Sequence, residues 1–460
     1  MFLRVLWIVI KLIIGVVMTG VGSAILLVKL KERRRRPVTT DGRVHEIFLP
    51  VLETFRGSCF PSSADSCGAY GAGDVPLIQG ECVIDIWGGF ADRESERRWR
   101  EDTLQIIFST SKAIGAICIA MLVDRGRLKY SDKISSFWSQ FAKHGKENIT
   151  VEMVISHLQS GLACLDGKIS YEDATDPEKM AKFIEESRPT WEPGKAVGYH
   201  ALSYGWLVDQ IIRRTDIKHR GIGQFFKEEI ADKHGLELHF GLPMEKAWRV
   251  ARITRPTLID RIDEFLTDPN NVDYAFIFKQ YLRGGLGMKV ATNPSWLQTI
   301  FKNTINNPEM YALEQPAVLG IGTARDLAKL AQLLMDEKLV SRPTLDLLNE
   351  NVIITKDIVT GAHAERGRGT TVMHLKRNGV DHRLIGHTGL GGQNLRWDEE
   401  NRLVIAFLSN GLKGGLGDRA RTYVRLMEAI YDCLPKNNDS SSIASYRNRM
   451  ISARDSIEIT

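Results

Sequence analysis

The sequence predicts an α/β (α+β) fold, in which strands from both ends of the chain form an antiparallel sheet with flanking helices and an inserted helical region. Three observations support this prediction. Residues 81–92 alternate between apolar and polar side chains and are rich in β-branched residues. Helical patterning dominates residues 151–348. A second group of strands follows, and its first two are separated by Asn378-Gly379, a strong hairpin signal.

The composition and charge of the chain exclude several classes of protein and of partner. The chain has 460 residues, of which 43% are hydrophobic and 25% charged, so it is neither disordered nor a small disulfide-stabilised scaffold. The net charge of +5 is concentrated at the N-terminus, because residues 1–36 carry +7 and the remaining residues carry −2. The body of the protein is therefore not basic, and no nucleic-acid partner is expected.

Residues 1–36 are expected to form a transmembrane anchor with a basic flank. Residues 5–28 are apolar apart from Lys11, are long enough to span a bilayer, and are followed by KLKERRRRP. Because cytosolic flanks are rich in Lys and Arg, we predict a single-pass membrane protein with its large domain in the cytosol. Two alternatives stay open. They are a cleaved secretory signal peptide ending near Gly22-Ser23-Ala24, and a mitochondrial targeting segment.

The elements after the anchor follow in order. Residues 37–47 are expected to be a linker and residues 48–434 the main domain. The stretch from Val38 to about Glu81 is rich in Gly, Ser and Pro, which indicates a linker or surface loop with one short helix near His45–Phe55. Residues Ser109–Val123 are apolar on nearly every face, which predicts a helix buried on all sides.

The C-terminal part predicts an antiparallel meander followed by a helix. A second turn at Asp398–Asn401 separates two further strands, and the final helix is expected over Arg419–Tyr431. Residues 435–460 are polar and are expected to be a disordered tail.

The most informative residues for chemistry are Ser109 and Lys112. They are three residues apart, so on a helix their side chains lie on the same face. A serine hydroxyl is a weak nucleophile that needs an adjacent base. A lysine followed by AIGAICIAMLV is expected to be buried, and burial disfavours the charged ammonium. The pair therefore predicts an activated serine, whereas a capping serine with a surface lysine is the ordinary structural alternative.

Two further signals accompany the pair. Tyr199 follows a turn within WEPGKAVGYHALSYGWL, where a tyrosine with its pKa lowered by a nearby cation would pass protons. His387-Thr388-Gly389 lies at the end of a predicted strand. Each signal alone is compatible with an ordinary structural role.

Together, Ser109-x-x-Lys112, Tyr199 and His387-Thr388-Gly389 resemble the three motifs of the serine β-lactamase and penicillin-binding-protein superfamily. The resemblance is greatest to class C β-lactamases, family VIII esterases and the β-lactamase-like proteins of animals. It extends over roughly Phe48–Leu434 and implies the β-lactamase/transpeptidase-like fold.

The resemblance also implies roles for these residues. Ser109 would be the acylated nucleophile, Lys112 its base and Tyr199 the proton shuttle. The backbone N–H groups of Ser109 and Leu390 would form the oxyanion hole. His387, Thr388 and Gly389 would bind the substrate. No metal and no organic cofactor are implied.

The sequence departs from the family pattern at two places. Tyr199-His200-Ala201 lacks the usual asparagine, and His387 replaces the lysine that supplies a fixed positive charge. We therefore expect weak or no β-lactam turnover, and a small-molecule ester or small peptide or amide as substrate of a membrane-anchored serine hydrolase. The alternative is a catalytically weak domain of this fold used for binding or assembly. The sequence leaves the oligomeric state open.

Overall fold

The structure is a computed structural model that describes most of the chain after the N-terminal segment. The described residues are 11, 15, 19, 20, 22, 23, 39–58, 65–71, 81–156, 160–256, 261, 285–297, 299, 302–413, 417–434 and 449–456. The anchor expected over residues 5–28 lies almost entirely outside them. None of the helices within the described residues combines the length and the apolar character that crossing a membrane requires.

The strands come from both ends of the chain. They are β1 (Thr39–His45), β2 (Asp65–Gly71), β3 (Glu81–Gly88), β4 (Phe90–Asp92), β5 (Arg97–Arg98), β6 (Gln105–Ile106), β7 (Leu238–His239), β8 (Ile321–Gly322), β9 (Ile353–Lys356), β10 (His363–Arg366), β11 (Thr371–Arg377), β12 (Val380–Thr388), β13 (Asn394–Asp398), β14 (Leu403–Ser409), β15 (Met450–Ser452) and β16 (Asp455–Ser456).

Most helices lie in the middle of the chain. The α-helices are α1 (Leu49–Ser58), α2 (Ser111–Asp124), α3 (Val151–Ile155), α4 (Tyr171–Ala174), α5 (Pro177–Glu186), α6 (Ser203–Thr215), α7 (Ile222–Phe226), α8 (Asp232–His234), α9 (Leu286–Ala291), α10 (Ala324–Met335), α11 (Arg342–Asn349) and α12 (Arg421–Cys433). A π-helical turn, Lys227–Ala231, joins α7 to α8. Short 3₁₀ turns connect other elements, and two of them, Phe108–Thr110 and Leu390–Gly392, contribute to the candidate site.

The main sheet is antiparallel and has the order β15-β1-β3-β2-β14-β13-β12-β11-β10-β9, with β16 also paired to β1. Strands from the N-terminal part therefore lie beside strands from the C-terminal part, which confirms the predicted fold class. The hairpin between β11 and β12 turns at Asn378 and Gly379, whose φ angles of +52° and +81° explain why this dipeptide marks the turn.

Both faces of the sheet are covered. Along β14 alternate residues point to opposite sides, so Leu403, Ile405 and Phe407 join the core beneath α1 and α12. Their neighbours Val404, Ala406 and Leu408 join the larger core that contains α2, α6 and α10. The helix α2 is buried from Ser111 to Leu122, as its apolar sequence predicts.

Two expectations about the chain ends are wrong. Residues 39–45, expected within a linker, form β1, and residues 450–452 and 455–456, expected within a disordered tail, pair with β1 as edge strands. The Gly- and Ser-rich stretch contains the central strand β2, not only a loop and a helix. These segments lack a clear apolar alternation, but the backbone groups that form a ladder are the same in every non-proline residue. The sheet therefore extends beyond residues 48–434.

Candidate active site

Ser109 lies in a 3₁₀ turn, Phe108–Thr110, that leads directly into α2. Phe108, the residue before it, has a φ of +47°, a left-handed conformation that bulky side chains rarely adopt. Gly320 holds the turn, because its carbonyl accepts from the Ile107 N–H at 2.9 Å and its N–H donates to Ser111 Oγ at 2.9 Å. Backbone strain next to a half-buried serine is typical of functional sites.

Lys112 is fully buried, one helical turn after Ser109. Its Nζ lies 3.2 Å from Ser109 Oγ, 3.0 Å from the carbonyl oxygen of Ala201 and 2.9 Å from that of Ala317. Burial lowers the pKa of Lys112 well below its usual value, and the positive charge of Arg366 lowers it further. The lysine is therefore suited to act as a base.

Tyr199 adjoins both residues. Its hydroxyl is hydrogen-bonded to the Ser109 side chain, and Lys112 Nζ lies 4.8 Å from the centre of its ring. Burial raises the pKa of Tyr199 to about 12 and outweighs the lowering by the Ser109 hydrogen bond and by Arg366. The expectation of a lowered tyrosine pKa is therefore wrong, and Tyr199 carries its proton at neutral pH.

His387 lies at the end of β12, with its ring centre 6.4 Å from that of Tyr199. Its Nδ1 is 2.7 Å from the carbonyl oxygen of Thr388, which assigns the proton to Nδ1. Burial lowers the pKa of His387 well below its usual value. The third motif therefore begins with a neutral imidazole.

Gly389 brings the end of β12 against the Phe108–Thr110 turn. A β-carbon at this position would lie 2.7 Å from the carbonyl oxygen of Ile107 and 3.0 Å from Thr110 Oγ1, so a larger residue would push the strand away. Its N–H donates to the carbonyl oxygen of Gln393 at 2.7 Å. Leu390, next in sequence, begins a 3₁₀ turn and is half-buried, as is Thr388.

His200 is hydrogen-bonded through both ring nitrogens. It is fully buried, with Nδ1 2.7 Å from the Gly198 carbonyl oxygen and Nε2 2.6 Å from Ser160 Oγ. Burial lowers the pKa of His200 to about 4, so it is a neutral structural residue.

Sequence reasoning missed the carbonyls that hold Lys112 and the cation that faces Tyr199. The guanidinium carbon of Arg366 lies 5.3 Å from the centre of the Tyr199 ring, and its Nη2 lies 2.8 Å from Asp357 Oδ2. No local sequence pattern marks these positions, since Ala201 and Ala317 act through backbone atoms.

An apolar cluster borders Tyr199 and Ala201 on the side of α9. Its buried members are Ala163, Val290 and Val359, and the partly buried residues packed against them include Cys164, Trp191 and Leu286. This Val359 cluster gives the site an apolar wall. Within the described part of the chain, no group of three His, Cys, Asp or Glu side chains is placed to hold a metal ion.

Comparisons with known proteins agree on the family. A family model described as beta-lactamase matches residues 71–429. The chain is 28% identical to the esterase/beta-lactamase LipL of Mycobacterium tuberculosis over 387 residues, which cover 79% of this chain and 81% of that protein.

Solved structures show the same fold. A family VIII carboxylesterase superposes with a TM-score of 0.71 at 26% identity, and the match covers 86% of this chain and 100% of the other. A penicillin-binding protein homologue from Caulobacter crescentus superposes with a TM-score of 0.68 at 27% identity, again covering 86% of this chain and 100% of the other.

Proposed function

The chain belongs to the beta-lactamase family, and we propose that it is a serine hydrolase that cleaves small esters and amides through an acyl-enzyme on Ser109. The observation that carries this proposal is the 3.2 Å contact between Ser109 Oγ and the fully buried Nζ of Lys112. A buried amine whose pKa is lowered, within hydrogen-bond distance of a serine hydroxyl, meets the requirement for an activated nucleophile.

Acylation follows from this geometry. Ser109 Oγ forms a bond to the acyl carbon while its proton passes to the Lys112 amine. The carbonyl oxygen becomes an oxyanion, which the backbone N–H groups of Ser109 and Leu390 would stabilise; such donors contribute ~2.7–4 kcal/mol each in comparable sites.

Tyr199, hydrogen-bonded to the Ser109 side chain, passes the proton to the leaving alcohol or amine as the C–O or C–N bond breaks. Water then attacks the acyl-enzyme, and the same groups return the proton to Ser109 as the carboxylic acid leaves.

The surroundings favour an uncharged, apolar acyl group. His387 is neutral, so the third motif supplies no cation for a substrate carboxylate. The Val359 cluster provides an apolar wall beside Tyr199. The similarity to proteins named as an esterase/beta-lactamase and a family VIII carboxylesterase supports the same substrate class.

The test is hydrolysis of p-nitrophenyl acetate, butyrate and octanoate beside the β-lactam nitrocefin, followed by mass spectrometry of the trapped acyl-enzyme. We expect ester cleavage with the acyl adduct on Ser109, little or no nitrocefin turnover, and loss of both adduct and activity in S109A. A folded protein that forms no acyl adduct would contradict the proposal and favour a binding or assembly role.

We also propose that residues 5–28 anchor the enzyme in a membrane with the catalytic domain in the cytosol. The support is the apolar length of the segment and the basic cluster that follows it. Protease protection of the full chain in isolated organelles tests this. Digestion of the catalytic domain without detergent is expected, whereas protection or release of the domain from the membrane by carbonate would contradict it.

A further inference from the structure

Arg366, at the end of β10, is a buried cation that is only partly neutralised. Arg366 is 5% exposed, and an ion pair joins its Nη2 to Asp357 Oδ2 at 2.8 Å. Its Nε and Nη1 are buried and have no hydrogen-bond partner among the described residues. The guanidinium carbon lies 5.3 Å from the centre of the Tyr199 ring. The group is therefore directed at the catalytic tyrosine but is too enclosed to bind substrate.

The turn between β9 and β10 fixes this arrangement. Asp357 is fully buried, and its Oδ1 accepts from the N–H groups of Val359 at 2.9 Å and Thr360 at 2.8 Å. The Ile358 N–H donates to the carbonyl oxygen of Val197 at 2.9 Å, two residues before Tyr199. The turn thus connects the ion pair to the segment that carries Tyr199.

Among the residues that the structure describes, the two tyrosines and two histidines around Lys112 carry no charge near pH 7. The ring centres of Tyr199 and Tyr204 lie 4.8 and 5.6 Å from its Nζ, and burial raises the pKa of both tyrosines. His200 and His387 have their pKa lowered by burial. Asp357 is the acidic partner of Arg366.

We propose that Arg366 is a positioning residue that supplies the fixed positive charge of this site, keeps Lys112 a neutral base and stabilises negative charge that develops on Tyr199. It would thereby place a positive charge beside Tyr199, which the neutral His387 does not. This inference rests on the proposed function, because it concerns the same nucleophile and base.

The test is the rate at which a fluorophosphonate labels Ser109 in the full chain in mild detergent between pH 5.5 and pH 9.5. In wild type the rate rises as Lys112 loses its proton. This rise is the acidic limb of the pH–rate profile. In R366Q we expect the limb to move to higher pH by about one unit, because no neighbouring cation then disfavours the charged ammonium of Lys112. R366K should leave the limb within a few tenths of a unit.

The variant D357N is expected to shift the acidic limb in the opposite direction from R366Q. Asparagine keeps Oδ1 for the Val359 and Thr360 N–H groups but removes the negative charge that offsets Arg366, so the limb should move to lower pH. A role that is only structural would not move the limb in opposite directions in the two variants.

R220Q is the matched control. Arg220 is also buried and ion-paired, with Nε 2.9 Å from Asp216 Oδ2, and its substitution should lower stability without moving the limb.

Unmoved limbs in labelled, folded R366Q or D357N would overturn the inference and leave the proposed function intact. If R366Q does not fold, the labelling profile of D357N is the deciding measurement. An acidic limb that stays in place or moves to higher pH in D357N overturns the inference. Absence of labelling in wild type would overturn the proposed function and this inference together.

Discussion

The amine of Lys112 donates a hydrogen bond to the backbone carbonyl oxygen of Ala201 at 3.0 Å. Ala201 stands where the motif that Tyr199-His200-Ala201 resembles has an asparagine. The Ala317 carbonyl oxygen accepts a second bond at 2.9 Å. Lys112 Nζ also lies 3.2 Å from Ser109 Oγ. In its neutral form the amine has two N–H groups and one lone pair, so the two carbonyls would use both N–H groups and leave the lone pair for the Ser109 hydroxyl. Backbone acceptors therefore hold the Lys112 amine although the asparagine is missing.

Removal of the amine is expected to abolish most activity. In K112M the proton acceptor is lost, and in K112R the side chain stays protonated, so both should lower kcat for ester hydrolysis by about 10²–10⁴-fold. The matched control is K146M. Lys146 is also fully buried and donates to two carbonyls, those of Glu185 at 2.9 Å and Ser187 at 2.6 Å. That variant should lose stability but keep its kcat, and a comparable kcat loss would refute the assignment of Lys112.

The Tyr199 hydroxyl should matter for proton transfer and not for folding. Y199F keeps the ring that packs against the Val359 cluster but removes the O–H beside Ser109, so kcat should fall by about 10² or more. In the control Y204F, the lost hydrogen bond is the one from Tyr204 Oη to the Lys112 carbonyl oxygen at 3.1 Å. It should cost about 1 kcal/mol of stability and leave kcat within a few-fold. Equal kcat in Y199F and wild type would exclude the shuttle role.

Gly389 should tolerate no larger residue. In G389A the new β-carbon would lie 2.7 Å from the Ile107 carbonyl oxygen, so the end of β12 must move away from the Phe108–Thr110 turn. We expect at least a tenfold loss of kcat with a lowered Tm. G57A, at an exposed helical position with open space around the added carbon, should be neutral or slightly stabilising. A fully active G389A would show that activity does not require the close contact between the end of β12 and the turn that carries Ser109.

Acid should destabilise the fold partly through His200. Its pKa is about 4 in the folded protein and near 6.5 when unfolded, so the unfolded state binds the proton first as pH falls. The contribution of neutral His200 to the free energy of unfolding is fully present above pH 6.5. It is lost as the pH falls from about 6.5 to about 4, and the total loss is roughly 3 kcal/mol. Urea unfolding at pH 7.5 and 4.5 measures it. H200Q should show a smaller loss of stability on acidification than wild type, and an identical loss would contradict the assignment.

The sequence predicted the elements whose local patterns are strong. The Asn378-Gly379 turn, the buried helix after Ser109 and the pairing of strands from both chain ends are all present. The motif residues Ser109, Lys112, Tyr199 and His387 lie far apart in sequence, and the fold brings them together at the end of β12 and the start of α2.

Other features had no local signal. The strand β1 has mixed polarity in sequence, and its pairing with β15 depends on residues about 400 positions away. The acceptors for Lys112 are backbone atoms, and the place of Arg366 is set by a hairpin turn that carries Asp357. Such features depend on tertiary contacts that residue type does not encode.

Covalent labelling of the full chain with a fluorophosphonate, followed by peptide mapping, measures whether Lys112 activates Ser109. We predict one adduct, on Ser109, that forms at least 10²-fold more slowly in K112M and at the wild-type rate in K146M. An adduct on another serine, or an unchanged rate in folded K112M, would contradict the claim that Lys112 activates Ser109.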